Sequence, residues 1–308
     1  MKLFYINGAQ WQKLLDSKLY TAPFHTYDWY NMLSHFFKAD LTLLLAEEES
    51  CSWIIPIFQD LPWLKQGEIS TSAIGYGGPL PLHKITSFQK EYERIINLLE
   101  FILKHFNTNK IHASLFPSAN WLDIKLNPRD RIDNTVKITL SGSAEKTFNH
   151  IITGNVRTAI RKSQRTGVLV REVSLNENEV IAMSTRLLQK TQRDVGSIYV
   201  TDKGLVETLL GTRSNIIKSR LFVAELHGKV EAMSIAISNQ HELFHLYHGW
   251  NRSSSYSSAN QALIWEMINC AELEHLRFFN MGSSHSKSLL EAKLRYGGNI
   301  EPVLYLNV

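Results

Sequence analysis

Apolar residues recur at helical or strand-like spacing along most of the chain, and a similar order of elements occurs twice. Helical spacing repeats every three or four residues, whereas strands alternate or form short apolar runs. The pattern of the first half predicts helices over 10–17 and 27–37, a hairpin of 41–46 and 53–58, a strand over 69–74, an amphipathic helix over 88–106 and a strand over 110–116.

The second half begins with a basic helix and then follows a comparable plan. Its pattern predicts a basic helix over 154–166, a helix over 177–194, a hairpin of 221–226 and 231–238, a strand over 242–247, a helix over 260–273 and strands over 278–281 and 303–306. Helices on one or both faces of a small antiparallel sheet bury each half in the simplest way.

The repeated pattern indicates two domains, for which 308 residues are sufficient. The segment 141–146 joins a strand to the next helix, so we predict domains over 1–145 and 146–308. We expect an α+β fold class, with a mixed, mostly antiparallel sheet flanked by helices in each domain. The apolar content of 44% and charged content of 20% are typical of a folded globular protein.

The positive charge is concentrated near the start of the second predicted domain. The net charge of the whole chain is only +4, yet residues 146–171 include no acidic residue. Within the basic helix, Arg157, Arg161 and Arg165 are spaced by four and share one face. Such a face suits an anionic partner such as phosphate, carboxylate or nucleic acid, and it is equally typical of a solvated surface. Gly167 is placed to end the helix in a left-handed conformation.

The two cysteines, Cys51 and Cys270, lie far apart and without metal-ligand spacing. This usage is typical of a reducing compartment and predicts neither a disulfide framework nor a metal site. No apolar run approaches the length of a membrane span, and the first residues lack the apolar run of a signal peptide. We therefore expect a cytoplasmic protein without an integral membrane segment.

Three blocks of sequence resemble the FemABX family, the peptidoglycan-bridge aminoacyltransferases and their acyltransferase relatives. The first is 154–168, a basic helix with Ile-Arg-Lys followed by Gly-Val. The second is the strand 245–250 with the helix start 259–266. The third is 278–283 followed by 290–298, which contains a lysine and ends in an aromatic residue and two glycines. Weaker agreement occurs at 27–29 and 76–80.

The resemblance implies two GNAT-like domains in tandem and transfer of an acyl or aminoacyl group to an amine. The acceptor would be a cell-wall precursor, a sugar or a peptide. The co-substrate would be acyl-CoA or aminoacyl-tRNA, with no tightly bound cofactor and no DNA partner. The loop 252–260 lacks the glycine pair with which acetyl-CoA enzymes of this fold hold pyrophosphate, which weakens the case for CoA.

The resemblance also assigns a role to Lys293, which matches a family lysine that stabilises the tetrahedral oxyanion. Arg295 lies in the same segment and is assigned to substrate binding. His245 and Tyr247 alternate on a predicted strand, so we expect them on one side of the sheet, where His245 can accept the proton of the amine.

Other polar residues lie where predicted helices or strands end. Arg193 closes the helix 177–194 beside a glycine-containing loop, a suitable place to bind phosphate or carboxylate, and Tyr199 follows in that loop. Asn260 begins a helix, where it caps the backbone or binds phosphate. Asn280 ends a strand. We predict that all four contribute to substrate binding, although each is also an ordinary structural residue at such a position.

Two other functions fit parts of the sequence. The basic helix by itself fits a nucleic-acid-binding module, although the aromatic platforms of single-strand binders are lacking there. The missing glycine pair fits a catalytically degenerate GNAT-like scaffold. Binding and transfer measurements distinguish these possibilities from an acyltransferase.

Overall fold

The computed structural model describes residues 1–16, 22–197, 199–212, 214, 216–253, 258–284 and 286–308. The chain forms two compact units, Met1–Thr135 with Glu301–Val308, and Val136–Ile300. These units place 136–145 in the second unit and 301–308 in the first, whereas the sequence predicts one division at 145/146. The difference arises because the strands Arg131–Thr139 and Asn299–Asn307 each contribute residues to both units.

Unit 1 contains a mixed sheet whose hairpin was predicted from the sequence. Antiparallel pairing joins β1 to β2 and β2 to β3, while β4 and β6 are parallel. The last residues of the chain, from β13, pair with β6. The strands with residues in this unit are β1 (Lys2–Tyr5), β2 (Asp40–Glu48), β3 (Cys51–Gln59), β4 (Glu68–Ser70), β5 (Leu80–Pro81), β6 (Lys110–Ser114), the start of β7 (Arg131–Thr139) and the end of β13 (Asn299–Asn307).

The helices of unit 1 are α1 (Gly8–Asp16), α2 (Tyr27–Phe37) and α3 (Phe88–Phe106) within the described residues. Position 17 of the first predicted helix lies outside them. The bounds of α2 and α3 agree with the prediction. Ser87 accepts a hydrogen bond from the backbone N–H of Lys90 at the start of α3, and Asn107 ends it in the left-handed conformation. The apolar face of α3 packs in one core with β2, β3 and β6.

The strands of unit 2 also pair in a mixed manner, and antiparallel neighbours again prevail. The pairs β8–β9, β9–β10 and β10–β11 are antiparallel, and β11–β12 is parallel. His227 and Gly228, both with positive φ, form the turn of the predicted hairpin. The complete strands are β8 (Leu169–Glu172), β9 (Lys218–Leu226), β10 (Lys229–Ser238), β11 (Glu242–Trp250) and β12 (Phe278–Ser284).

Helices cover the sheet of unit 2. The apolar sides of α5 and α8 enclose a core with β9, β10 and β12, while α6 packs on β10 and β11. The described helices are α4 (Ala144–Lys146), a π-helix (Thr147–Ile151), α5 (Gly154–Arg165), α6 (Asn178–Asp194), α7 (Lys203–Gly211), α8 (Ala259–Leu273) and α9 (Lys287–Leu294). The predicted α+β class is therefore confirmed in both units.

The basic helix ends as its sequence predicts. Val156, Ile160 and Ser163 of α5 are buried. Gly167 has a φ of 81°, and the N–H groups of Gly167 and Val168 donate to carbonyls in the last turn. The chain is thereby turned from α5 into β8.

Helix α7 was not predicted from the apolar pattern because its three buried side chains span little more than one turn. Asp202 begins this helix by accepting a hydrogen bond from the Leu205 N–H at 2.7 Å. No helix within the described residues is long and apolar enough to cross a membrane.

Candidate active site

A β-bulge in β11 determines which side chains of β10 and β11 lie on the same face of the sheet in unit 2. Ile235 of β10 lies opposite Tyr247, whereas the next residue, Ala236, lies opposite His245. Leu246 is therefore the extra residue of the bulge, and the alternation of side chains is reversed on passing it. His245 lies on the face covered by α8, and Tyr247 lies on the opposite face, which α6 covers. The prediction that His245 and Tyr247 face the same side is wrong for this reason.

The bulge brings a second histidine to the side of His245. The Ser234 hydroxyl lies 3.0 Å from Nε2 of His245 and 2.9 Å from Nδ1 of His248. The two imidazole rings meet edge to face, with 5.2 Å between their centroids. Ser234 is fully buried and His245 is 7% exposed, whereas His248 is only partly buried. These three side chains form a polar group, here called the His–Ser–His cluster, on an otherwise apolar face.

The environment of the cluster favours neutral imidazoles. Burial holds the pKa of His245 well below its ordinary value, and the charges of His248 and Lys293 lower it further. Burial, together with the Lys293 charge, lowers the pKa of His248 to about 4, although the Asn260 amide acts in the opposite direction. Both rings are consequently neutral near pH 7 and each carries one N–H.

In the described residues, the ladder between β11 and β12 covers the start of both strands. Their ladder joins Glu242 to Phe278, Leu243 to Phe279 and Phe244 to Asn280, and both strands then continue. Gly282 follows with a φ of 70°, and a Cβ at this position would lie 2.7 Å from the His245 carbonyl oxygen. Glycine is therefore required at the point where the described ladder ends.

The side chain of Lys293, in α9, extends to this end of the ladder. Its Nζ donates hydrogen bonds to the carbonyl oxygens of Gly282 at 2.8 Å and Ser283 at 2.7 Å. The side chain is 9% exposed and forms no ion pair with a carboxylate in the described residues. Burial lowers the pKa of Lys293 to about 7, so this amine can exchange a proton near neutral pH.

Asn260 and Asn280 belong to different parts of this region. Asn260 lies in the first turn of α8, close enough to His248 to act on its pKa. The Oδ1 of Asn280 accepts a hydrogen bond from the Gly282 N–H at 2.9 Å. Asn280 therefore shapes the turn whose carbonyls bind Lys293, and its contribution to substrate binding stays a prediction.

Tyr199 and Tyr247 are neighbours on the α6 side of the sheet. Burial raises the pKa of Tyr199, as does the charge of Asp202. Burial also raises the pKa of Tyr247, and a contact with Thr201 acts against it. The structure thus brings these two tyrosines together, but on the face opposite to His245.

Arg193 and Arg295 are exposed at helix ends. Arg193 lies in the last turn of α6, and Arg295 follows the last residue of α9. The backbone carbonyl of Arg295 accepts a hydrogen bond from the Thr153 N–H at 3.1 Å, just before α5. Substrate binding by their side chains remains a prediction.

The three arginines of the basic face have different surroundings. Arg157 donates hydrogen bonds to the carbonyls of Phe148, Asn149 and Ile152, at the end of the π-helix. Arg161 lies over the Phe148 ring, with its guanidinium carbon 5.5 Å from the ring centroid, but it is exposed. Arg165 is also exposed. The charge available to a ligand on α5 is therefore that of Arg161, Lys162 and Arg165, rather than that of Arg157.

A cavity of about 570 Å³ opens elsewhere in unit 2, between the ends of β9 and β10. Lys218 and Glu274 lie on its wall, 3.4 Å apart, so they neutralise one another. The predicted site residues do not line it, and we assign no chemistry to it.

Sequence analysis missed Ser234 and His248. The spacing of three between His245 and His248 puts them on opposite faces of a regular strand, and only the bulge brings them together. A serine in the apolar run of β10 is the signal that was available, because a hydroxyl buried in a sheet needs a polar partner.

Residues 153–287 match the family model described as an acetyltransferase (GNAT) domain, which is less than half of the chain. No curated protein matches the sequence. Among solved structures, FemX is similar with a TM-score of 0.67 and 10% identity, over 99% of this chain and 97% of FemX.

Two further structures are similar over nearly their whole length. A tandem GNAT protein from the clavulanic acid biosynthesis pathway has a TM-score of 0.59 and 9% identity, over 100% of this chain and 98% of that one. The C-terminal domain of a putative lysylphosphatidylglycerol synthetase from Agrobacterium fabrum has a TM-score of 0.56 and 11% identity, over 97% and 92%.

The chain therefore shares its fold with a tandem GNAT protein, and its residues 153–287 match a GNAT domain. Its fold is FemABX-like, as the resemblance of its sequence segments predicts.

Proposed function

We propose that this protein is an N-acyltransferase that moves an acyl or aminoacyl group from a carrier to an amine. The observation that supports this function most strongly is Lys293, a buried amine at the end of the β11–β12 ladder that has no carboxylate partner in the part of the chain that the structure describes. An unpaired charge is costly to bury, so such a lysine is more typical of a functional site than of a structural one. The same observation disfavours a degenerate scaffold.

The contacts of Lys293 leave one direction of its amine free. The protonated amine has three N–H groups, and the carbonyls of Gly282 and Ser283 accept two of them. The third N–H can point at the oxygen of a bound acyl group. When the amine of the acceptor attacks the carbonyl carbon, this oxygen becomes an oxyanion, which the ammonium stabilises.

The reaction then proceeds through a tetrahedral intermediate. The lone pair of the amine forms the new C–N bond while the π electrons of the C=O bond move to oxygen. The ammonium formed in this way must lose a proton before the intermediate collapses. Collapse breaks the bond to sulfur or oxygen of the carrier, and the carrier leaves with that electron pair and takes up a proton.

The exposed cations of α5 support a carrier that contains phosphate. Arg161, Lys162 and Arg165 are exposed on the helix surface, and both CoA and tRNA contain phosphate groups. We propose an aminoacyl-tRNA or an acyl-CoA as co-substrate and a peptidoglycan precursor or another small amine as acceptor, in the cytoplasm. Residues 254–257 of the serine-rich loop lie outside the described residues.

The charge-reversed double variant Arg161→Glu, Arg165→Glu is expected to raise the KM for the carrier roughly tenfold at low salt, with little change in kcat. The reason is that two attractive charges become repulsive towards phosphate, while Lys293 is untouched. Steady-state kinetics with the carrier varied measures this effect. The matched control is Lys203→Glu, Lys229→Glu, which reverses two exposed lysines elsewhere in unit 2. Equal KM values for the two double variants would show that the basic face of α5 is an ordinary solvated surface that does not bind the carrier.

We expect kcat to decrease as the pH rises, with an apparent pKa near 7. Burial lowers the pKa of Lys293 to about 7, and the neutral amine that forms above it no longer carries the charge that stabilises an oxyanion. Rates measured at saturating acceptor from pH 6 to 9 test this. The pH profile of the residual kcat of Lys293→Met should show no decrease on the alkaline side. A decrease with the same apparent pKa in this variant would mean that another group causes it.

Transfer itself is tested with acetyl-CoA, longer acyl-CoAs and aminoacyl-tRNA as donors and a UDP-linked muropeptide as the acceptor. Amine-dependent release of free CoA or of uncharged tRNA is the expected result. Equal affinity for charged tRNA and a generic duplex, without transfer from any donor, would instead support a nucleic-acid-binding module.

A further inference from the structure

The His–Ser–His cluster contains too few protons for all its contacts to be made independently. Ser234 has one O–H, yet it lies within hydrogen-bond distance of a ring nitrogen on each side. One imidazole must therefore accept this proton while the other donates its own N–H to the serine oxygen. The tautomers of His245 and His248 are consequently coupled: either both rings carry their proton on Nδ1 or both carry it on Nε2.

The two histidines differ in how far they reach from the sheet. His245 is almost completely buried, with Nε2 at Ser234 and with the backbone of Tyr247 acting on its pKa. His248 is partly exposed and lies beside Asn260 in the first turn of α8. Its Nδ1 is held by Ser234, whereas its Nε2 is buried and has no hydrogen-bond partner among the described residues, so Nε2 is the ring nitrogen left for a substrate group. The outer position in the cluster therefore belongs to His248, and the inner position belongs to His245.

The charged group that faces both rings is Lys293. Its charge lowers the pKa of His245 and of His248, so it lies close to both. Among the described residues, no carboxylate contributes to the pKa shift of either ring, and the other polar neighbours are Ser234 and Asn260. The site thus places an amine that can stabilise negative charge next to a neutral imidazole that can accept a proton.

We propose that His248 is the proton acceptor of the transfer reaction, and that Ser234 and His245 are positioning residues that hold its ring and tautomer. This inference rests on the proposed acyltransferase function. It replaces His245, the base expected from the sequence, with its neighbour three residues later. The inner His245 keeps a role, but it acts through Ser234 and does not meet the substrate.

The proton transfer is a complete step with no further reactant. After the acceptor nitrogen has bonded to the acyl carbon, its extra proton passes to Nε2 of His248, which becomes an imidazolium. Ser234 accepts the N–H of Nδ1 throughout and donates its own proton to Nε2 of His245. When the C–S or C–O bond breaks, the imidazolium returns the proton to the leaving carrier and is neutral again.

The low pKa of His248 suits a short-lived acceptor of this kind. Burial and the Lys293 charge keep the ring neutral at pH 7, so the lone pair is available in nearly every molecule. The ring becomes charged only while the neighbouring intermediate carries a negative oxygen, and it readily gives the proton back to the carrier.

The first test compares kcat for variants of the cluster, with the donor and acceptor that show transfer in the wild-type protein. His248→Gln is expected to lower kcat about 100-fold or more. Ser234→Ala is expected to lower it about tenfold because the ring loses its orientation. The matched control is Ser238→Ala, a buried serine farther along the same strand, which should keep the wild-type kcat.

The second test uses a spectroscopic signature that a merely structural role would not couple to the rate. Nitrogen-15 NMR should show the Nδ1–H tautomer for both His245 and His248 at pH 7, and Ser234→Ala should remove this coupling between the two rings. Asn260→Asp places a carboxylate beside His248 and should raise its pKa by about 1–3 units. The acid limb of kcat should move upward by the same amount.

The outcomes separate this inference from the function on which it rests. If the wild-type protein transfers no acyl group from any donor, the proposed function fails. If the wild-type protein is active and His248→Gln retains its kcat, or if the acid limb stays in place while the NMR pKa of His248 moves, the inference is overturned. A large loss in His245→Gln with none in His248→Gln would restore His245 as the base.

Discussion

Replacing Lys293 by methionine is expected to abolish most transfer and, at pH 7, to make the protein more stable. The variant keeps the apolar stem of the side chain but removes a charge that is buried without a carboxylate partner. A fall in pKa from 10.5 to about 7 corresponds to an unfavourable burial of the charged form by about 5 kcal/mol. The lost hydrogen bonds to two carbonyls offset part of this, so we expect a net gain of about 1–3 kcal/mol.

The sign of this effect changes with pH. The folded protein holds Lys293 with a lowered pKa, so the unfolded chain binds more protons between pH 7 and about 10.5. The free energy of unfolding of the wild type must therefore rise over this range, relative to the methionine variant. Above pH 10 the wild type should be the more stable protein, because its neutral amine keeps both hydrogen bonds.

Urea unfolding at pH 7 and pH 10 measures this difference in stability. The matched control is Lys287→Met on the same helix, because Lys287 is highly exposed and forms only a long ion pair with Glu291. This control should change the free energy of unfolding by less than about 0.5 kcal/mol and leave transfer intact. A Lys293→Met protein that is less stable than the wild type at pH 7 would show that the lysine is not buried as an unfavourable charge.

Gly297→Ala is expected to have the largest effect on stability. Gly297 has a φ of 83°, and a Cβ there would lie 2.1 Å from the backbone oxygen of Ile151. The left-handed conformation alone costs alanine about 1–2 kcal/mol. The contact with the Ile151 backbone adds to this cost, because the closely packed backbone on either side cannot shift easily. We expect a total loss of more than about 3 kcal/mol, and a lower kcat, since Gly297 closes the turn behind Lys293.

Gly142→Ala is the matched control for this substitution. Gly142 has a φ of 78°, but nothing lies within 4 Å of a Cβ at that position. It should lose only the conformational part, about 1–2 kcal/mol. Comparable losses for the two variants, measured by urea unfolding, would contradict the close approach of Gly297 to Ile151.

The sequence predicted regular elements well where their pattern is long. Both α2 and α3 begin and end at the predicted residues, because an apolar stripe over three or more turns has no other compact arrangement. The hairpin of β9 and β10 was predicted because turn residues separate two apolar strand patterns. The helix α7 was missed because its four apolar residues lie within a segment of little more than one turn, which is too short for a distinctive pattern.

The candidate site could be predicted only in part. The role of Lys293 was predicted from a resemblance to a family. Its burial could not be predicted from the sequence, because the same helix also contains the exposed Lys287. The bulge at Leu246 decides that His245 faces His248 rather than Tyr247, and one extra residue in a strand leaves no mark on hydrophobic alternation. Arg157 was expected on a ligand-binding face, but unsatisfied carbonyls of the π-helix accept its hydrogen bonds.

The most direct test of the account is the rate of amine-dependent carrier release by three proteins: wild type, Lys293→Met and Lys287→Met. The donors are acyl-CoA and aminoacyl-tRNA, and the acceptor is a UDP-linked muropeptide. We predict release by the wild type and Lys287→Met at similar rates, and a loss of about 100-fold or more in Lys293→Met. Wild-type rates in Lys293→Met, with the folded state confirmed by its unfolding curve, would contradict the account.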